Sequence, residues 1–306
     1  MKLHIAGTGC NAPSGHAYGS AFLLEIDKDL LLFDCGPAAA YKLATMGIDL
    51  TRIHHMFLTH HHYDHTADVP CFALTRWDKS NYDQPPLAVY GPPPTSHFIN
   101  ALFGPSGAFF ADWHARVKSP ASLGYYRMAG GKLPRPEPTF DVREVVEGPV
   151  TETDAWSVSC TRVRHVDPVD GEALLESVAY RVKTGHGSIV FAGDCDDCTA
   201  LRRLSQGVDT LVIKPRAGLQ LPFQANGAPD ISGTGKSLAT GDNGTLEQDG
   251  QLLHDCKPRR VILSHLAPGF FGSSGLRERV LATIGGSYSG VLVMPDELTT
   301  VDLSLN

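Results

Sequence analysis

The sequence predicts an α/β protein in which two β-sheets pack face to face with helices outside, an arrangement that buries the apolar faces of both element types. Short apolar runs of strand length alternate with longer segments of helical period along the 306 residues. Both halves of the chain pass from clustered strands into helices. A third observation adds function to that frame: four of the strand-like runs end in a histidine or an aspartate, and open α/β sheets collect their ligands at the carboxyl ends of strands.

In chain order, strands are expected near 3–6, 21–26, 30–34, 55–59 and 87–90, then 141–147, 157–165, 177–183, 188–192, 210–213, 260–264 and 291–294. Helices are expected near 38–46, 67–76, 95–103, 197–205, 245–256 and 276–284. Two stretches break this rhythm. Residues 104–140 are rich in Gly, Pro and aromatics, and 216–244 in Gly and small polar residues. Loops of that length in a compact domain are usually lids or disordered segments. The first carries Phe109, Phe110, Trp113, Tyr125 and Tyr126, enough apolar surface to cover a site or to join two copies as a homodimer. The expectation is one domain over 1–306 with these two insertions, since no linker composition and no internal repeat is evident.

Composition fits a soluble enzyme. Hydrophobic residues make up 42%, enough for a large core, and 26 Lys+Arg against 33 Asp+Glu leave a formal charge of −7. That balance argues against a nucleic-acid partner, because phosphate contacts dominate such binding. No apolar run is long enough for a membrane span. The opening MKLHIAGTG enters a strand without the apolar stretch of a secretory signal. Seven cysteines at irregular spacing do not suggest a disulfide framework, so the expected location is a reduced cytoplasm.

The densest chemistry lies in FLTHHHYDHTAD, where the apolar Met56-Phe57-Leu58 runs into His60-x-His62-x-Asp64-His65. Residues i and i+2 of an extended segment share a face, so His60 and His62 can grip one ion together. Asp64 and His65 then lie on the turn beyond, free to point at a second ion. Imidazole nitrogens with a carboxylate suit zinc and, less selectively, iron or manganese. Three further strand ends supply the same residue types: His165 in TRVRHVDP, Asp194 in SIVFAGDCDD and His265 in RRVILSHLAP.

This set resembles the full ligand complement of metallo-β-lactamase-fold hydrolases. The openings GTGCNAPSG and SAFLLEIDKDLLLFDCG are similar to the ribonuclease Z and arylsulfatase-like branch. The resemblance implies an αββα four-layer sandwich with metals at one edge between the sheets. It implies that His60, His62 and His165 hold one ion and Asp64, His65 and His265 the other, with Asp194 bridging both. It also places Asp34, in the Phe33-Asp34-Cys35-Gly36 turn, beneath the metals, where a carboxylate would orient a ligating histidine.

The implied activity is hydrolysis by a hydroxide held between two zinc ions, with Asp64 and Asp194 as its catalytic carboxylates. Zinc lowers the pKa of bound water to about 7, and paired ions sit roughly 3.5–4 Å apart. Di-iron relatives that handle oxygen or nitric oxide carry a carboxylate where His62 stands, so redox chemistry is the weaker expectation. For substrate, the ribonuclease Z pattern has a His-Glu pair after the strand that follows Asp194. Here DTLVIKPRAG puts Lys214 and Pro215 there, and the family's further histidine is absent near DNGTLEQ. The chain also lacks a basic, Gly-rich arm like the one with which that family grips tRNA.

The expectation is therefore a small anionic ester, namely a phosphodiester, sulfate ester, carboxylic ester or lactone. A tRNA 3′-end endoribonuclease is the alternative. A non-catalytic metal-binding or signalling protein on the same scaffold is the second, and lost ligands would mark it. Lys214 and Arg216 would face the cleft and bind the substrate's anionic group, and His16 and Tyr18 would line its mouth. Cys195-x-x-Cys198 is read as the ordinary first turn of a helix rather than a redox motif.

Overall fold

The computed structural model describes residues 1–12, 14–80, 84–166, 169–170, 172–196, 198–216, 245–272 and 274–304. The strands are β1 (Lys2–Gly7), β2 (Ala21–Ile26), β3 (Asp29–Phe33), β4 (His55–Phe57), β5 (Leu87–Gly91), β6 (Phe140–Glu144), β7 (Gly148–Glu152), β8 (Trp156–Arg162), β9 (Val178–Thr184), β10 (Gly187–Phe191), β11 (Thr210–Ile213), β12 (Arg260–Leu263), β13 (Val291–Val293) and β14 (Thr299–Asp302). The helices are α1 (Ala39–Thr45), α2 (Tyr63–Thr66), α3 (Val69–Lys79), α4 (Thr95–Phe103), α5 (Phe110–Lys118), α6 (Pro120–Met128), α7 (Thr199–Ser205), α8 (Leu246–Cys256), α9 (Gly269–Gly272) and α10 (Ser274–Gly285).

The strands form two seven-stranded sheets, in the orders β14-β1-β2-β3-β4-β5-β6 and β13-β12-β11-β10-β9-β8-β7. Each is antiparallel over the pairs from one edge to β3 or to β10, and parallel beyond. The two halves thus repeat one topology that no sequence repeat announces.

Period-two alternation decides the layering. In β2, Phe22, Leu24 and Ile26 turn to the space between the sheets, while Ala21 and Leu23 turn outward. Both faces are covered, which is why these strands are almost continuously apolar. The inter-sheet core is aromatic at its centre: Phe33 from one sheet stacks on Phe191 from the other with ring centroids 3.9 Å apart, and on Phe57 at 4.8 Å. Outside, residues of α1, α3 and α4 pack on the first sheet, and residues of α7, α8 and α10 on the second. The layers are helix, sheet, sheet, helix, as the αββα expectation required.

The structure corrects several local expectations. Within 104–140 the chain forms α5 and α6, not irregular loop; Pro120 opens α6 at a helix first turn, where its missing N–H costs nothing. Trp113 and Val117 of α5 pack against Trp77 of α3. Arg135 lies between the rings of Trp77 and Tyr126, 4.2 and 4.8 Å from their centres. The run expected as one strand at 141–147 stops at Glu144, with β7 beginning at Gly148, and β14 was not foreseen. The strand expected to carry His165 stops at Arg162, so the histidine sits on the bend beyond it. Of the 216–244 insertion, Arg216 is described and the rest lies outside the described residues. No helix among the described residues is long and apolar enough to cross a membrane.

Candidate metal centre

The carboxyl ends of β3 and β4 in one sheet, and of β10 and β12 in the other, meet at one edge of the sandwich. Gly193, with φ of 62°, turns the chain after β10, so that Asp194 follows within one turn. His265 itself has φ of 58°, in the left-handed region. Such a conformation costs about 1–3 kcal/mol in a residue with a β-carbon and is held only where the surroundings over-determine it.

All seven sequence-predicted ligands converge there, in three groups whose donor atoms lie within 4.8 Å of one another: His60, His62 and His165; His60, His65 and Asp194; and Asp64, His65 and His265. His62 Nδ1 is 3.1 Å from Nε2 of both His60 and His165. His265 Nε2 lies 3.1 Å from Asp64 Oδ2 and 2.8 Å from Asp194 Oδ2. Asp194 Oδ2 is also 4.0 Å from His165 Nε2, and its Oδ1 is 3.4 Å from His65 Nε2, which puts the carboxylate between the two clusters.

Electrostatics separates the two halves. Burial lowers the pKa of His60, His62 and His165, the last to about 4, which favours the neutral imidazole that a metal ligand requires. Burial also opposes charge on His65 and His265, but nearby carboxylates outweigh it: Asp194 and Asp34 for the first, Asp194 and Asp64 for the second. Both pKa values rise. Asp194 is held well below the carboxylate range, its burial outweighed by His265 and His65.

The residues fit a bound cation. His65 Nε2 and Asp194 Oδ1 are buried, face each other and have no hydrogen-bond partner. Buried polar groups are expensive when unmatched, and a positive ion that displaced the proton favoured on His65 would engage both the imidazole nitrogen and the carboxylate.

Behind the donors lies a support that sequence reading found only in part. Asp34, expected to orient a histidine, accepts from His65 Nδ1 at 2.7 Å. It also accepts from the Thr59 backbone N–H at 2.8 Å and from the Thr59 hydroxyl. A hydroxyl has one proton to give. Having given it to Asp34, Thr59 Oγ1 accepts from His60 Nδ1 at 3.0 Å, which leaves His60 Nε2 bare toward the centre. Asp34 thereby orients two of the seven donors at once. The Cys35 N–H donates to the His65 carbonyl at 2.8 Å, strapping this turn to α2. Gly36 permits the approach, since a β-carbon there would stand 2.2 Å from the Asp64 carbonyl oxygen.

The expected substrate contacts separate. Lys214 follows β11 and lines one cavity with Ser20, Asp194, Ser264 and His265. Arg216 is buried, with Nε 2.5 Å from Asp249 Oδ1 of α8, so its charge is matched inside the protein. His16 is exposed and stacks on Phe271 with centroids 6.4 Å apart. Tyr18 donates its backbone N–H to Glu297, and its ring lies 4.7 Å from Lys42 Nζ. Cys195 is buried. Sequence reading passed over Cys10, near enough to Asp64 and Asp194 for their charges to add to the effect of burial in raising its thiol pKa.

The model of a family described as Anti-Pycsar protein Apyc1 matches residues 1–93. A ribonuclease Z from Mycobacterium sp. (strain KMS) is 31% identical over 212 residues, covering 69% of this chain and 67% of that protein. Among solved structures, the metallo-β-lactamase-fold protein YhfI from Bacillus subtilis superposes with a TM-score of 0.66 at 16% identity, over 98% of both chains. The short form of human tRNase Z superposes with a TM-score of 0.65 at 18% identity, over 100% of both.

Proposed function

Because the chain belongs to the ribonuclease Z family of metallo-β-lactamase-fold, metal-dependent hydrolases, we propose that it cleaves a phosphodiester bond at a centre of two metal ions, zinc by donor chemistry. The observation that carries this is the placement of Asp194 between two clusters of donors, 4.0 Å from His165 and 2.8 Å from His265. His60, His62 and His165 would hold one ion, Asp64, His65 and His265 the other, and Asp194 both. Bound zinc supplies Lewis acidity and a hydroxide nucleophile near neutral pH.

The chain's own residues do the rest. Asp34 and Thr59 set the tautomers of His65 and His60, so that each presents Nε2. Asp64 and Asp194 place negative charge where cations must sit. Lys214, at the end of β11 on the same cavity, would meet an anionic oxygen of the substrate.

RNA is the first substrate reading, supported by relatives named ribonuclease Z and tRNase Z. A small phosphodiester is the second, favoured by Lys214-Pro215 standing where the family pattern has His-Glu. A soluble cytoplasmic location accords with both.

The test pairs metal analysis of purified protein with rates on a tRNA bearing a 3′ extension, a bis-aryl phosphate, an aryl sulfate, an aryl acetate and a lactone. Two metal equivalents with a chelator-sensitive rate on the first or second substrate supports the proposal and separates its two readings. A dominant rate on a sulfate, carboxylic ester or lactone overturns the bond type.

A further inference from the structure

We infer that Glu297, 32 residues beyond His265 in the loop before β14, is a positioning residue for the metal-binding turn at His265. The inference rests on the reading of His265 as a ligand.

Glu297 reaches three segments with one carboxylate. Its Oε1 accepts the backbone N–H of Thr8 at 3.0 Å and of Tyr18 at 2.7 Å, closing both ends of the loop between β1 and β2. Its Oε2 accepts from Lys42 Nζ of α1. The ion pair is nearly closed to solvent, with side chains 9% and 8% exposed. Among the described residues its hydrogen-bond partners are Thr8, Tyr18 and Lys42 and none of the seven metal-site donors, so a surface role or a catalytic one does not explain its burial.

Its consequence runs through Thr8. The Thr8 carbonyl accepts the Leu266 N–H at 2.7 Å, and Gly9 and Leu266 pair as an isolated parallel bridge. On the other side of His265, the Ser264 N–H donates to the Ile213 carbonyl at 3.1 Å. The left-handed His265 is therefore pinned at both neighbours, to β11 before it and to the β1–β2 loop after it. The β11 side is ordinary sheet continuation. The Thr8 side lies just past the end of β1, where the Gly9 N–H donates to the Tyr18 carbonyl at 2.7 Å and Glu297 receives the Thr8 N–H. Hydrogen bonding, not charge, is the working element, because Oε1 serves the two backbone donors while Lys42 engages the other oxygen.

The test compares Glu297→Gln, made together with Lys42→Met, with Glu297→Asp, by competitive titration of Zn²⁺ alone against a coloured chelator, with circular dichroism to verify folding. Glu297→Gln, combined with Lys42→Met so that no buried ammonium faces the amide, keeps an oxygen for Thr8 and Tyr18 and should hold two equivalents within about threefold of wild type. Glu297→Asp keeps the charge but draws the oxygen back by one methylene. It should weaken the second equivalent about ten- to a hundredfold, the range for residues that orient ligands, and leave the first unchanged. The inference is overturned if Glu297→Asp leaves both affinities intact, if both fall together, or if Glu297→Gln loses as much as Glu297→Asp. A wild-type protein that takes up fewer than two equivalents removes the metal assignment itself, and this inference with it.

Discussion

Thr59 shows how a single hydroxyl can orient a histidine proposed to bind metal. Its proton goes to Asp34, so its lone pair takes the His60 Nδ1–H, and the imidazole tautomer follows from a carboxylate two bonds away. Asp34→Asn removes the charge that also receives His65 Nδ1. The expected outcome is metal affinity lower by about ten- to a hundredfold, read by chelator competition, with an unchanged far-ultraviolet spectrum. Asp64→Ala or His265→Ala should abolish chelator-sensitive hydrolysis while leaving the fold largely intact; full activity in either would sink the two-metal assignment. The cluster of seven donors was legible in the sequence because polar residues ending apolar strands have few structural reasons to be there. The orienting role of Thr59 and the placement of Cys10 were not legible, since both depend on distant segments: Thr59 acts on Asp34, 25 residues earlier, and Cys10 lies near Asp64 and Asp194.

Among the elements, β3 bears most on the site, since it ends in Asp34 and carries Phe33 into the inter-sheet stack with Phe57 and Phe191. Phe→Ala at a buried position costs about 3–5 kcal/mol, and Phe33 is 1% exposed. Phe33→Ala should lower the denaturation midpoint accordingly, and should also weaken metal binding by loosening the turn that carries Asp34. A loss of stability with metal affinity unchanged would separate the stack from the site. Buried strands were readable from their apolar runs. The helices α5 and α6 were not, because the Gly and Pro residues around them mask their short periods, and the packing of α5 rests on Trp77 from another helix. Strand β14 was missed because it is a mostly exposed edge strand with little apolar signal.

In the whole molecule, the donors come from both sheets: His60, His62, Asp64 and His65 follow β4 of one, while His165, Asp194 and His265 follow β8, β10 and β12 of the other. Ions shared between them would fasten the sandwich at one edge, and binding to the folded state alone stabilises it by mass action. Free metal at a hundred times Kd contributes about 2.7 kcal/mol, and each kcal/mol moves the melting temperature by roughly 2–4 °C in chains of 150–250 residues. Chelation should therefore lower the melting temperature by about 5–10 °C, and added Zn²⁺ should restore it. The same chelation in His165→Ala should give a smaller shift, since one cluster has lost a donor, and in a His165→Ala, His265→Ala double variant smaller still. A chelator shift that is the same in all three proteins would mean that the stabilising metal binds elsewhere, and that this edge does not join the sheets through metal.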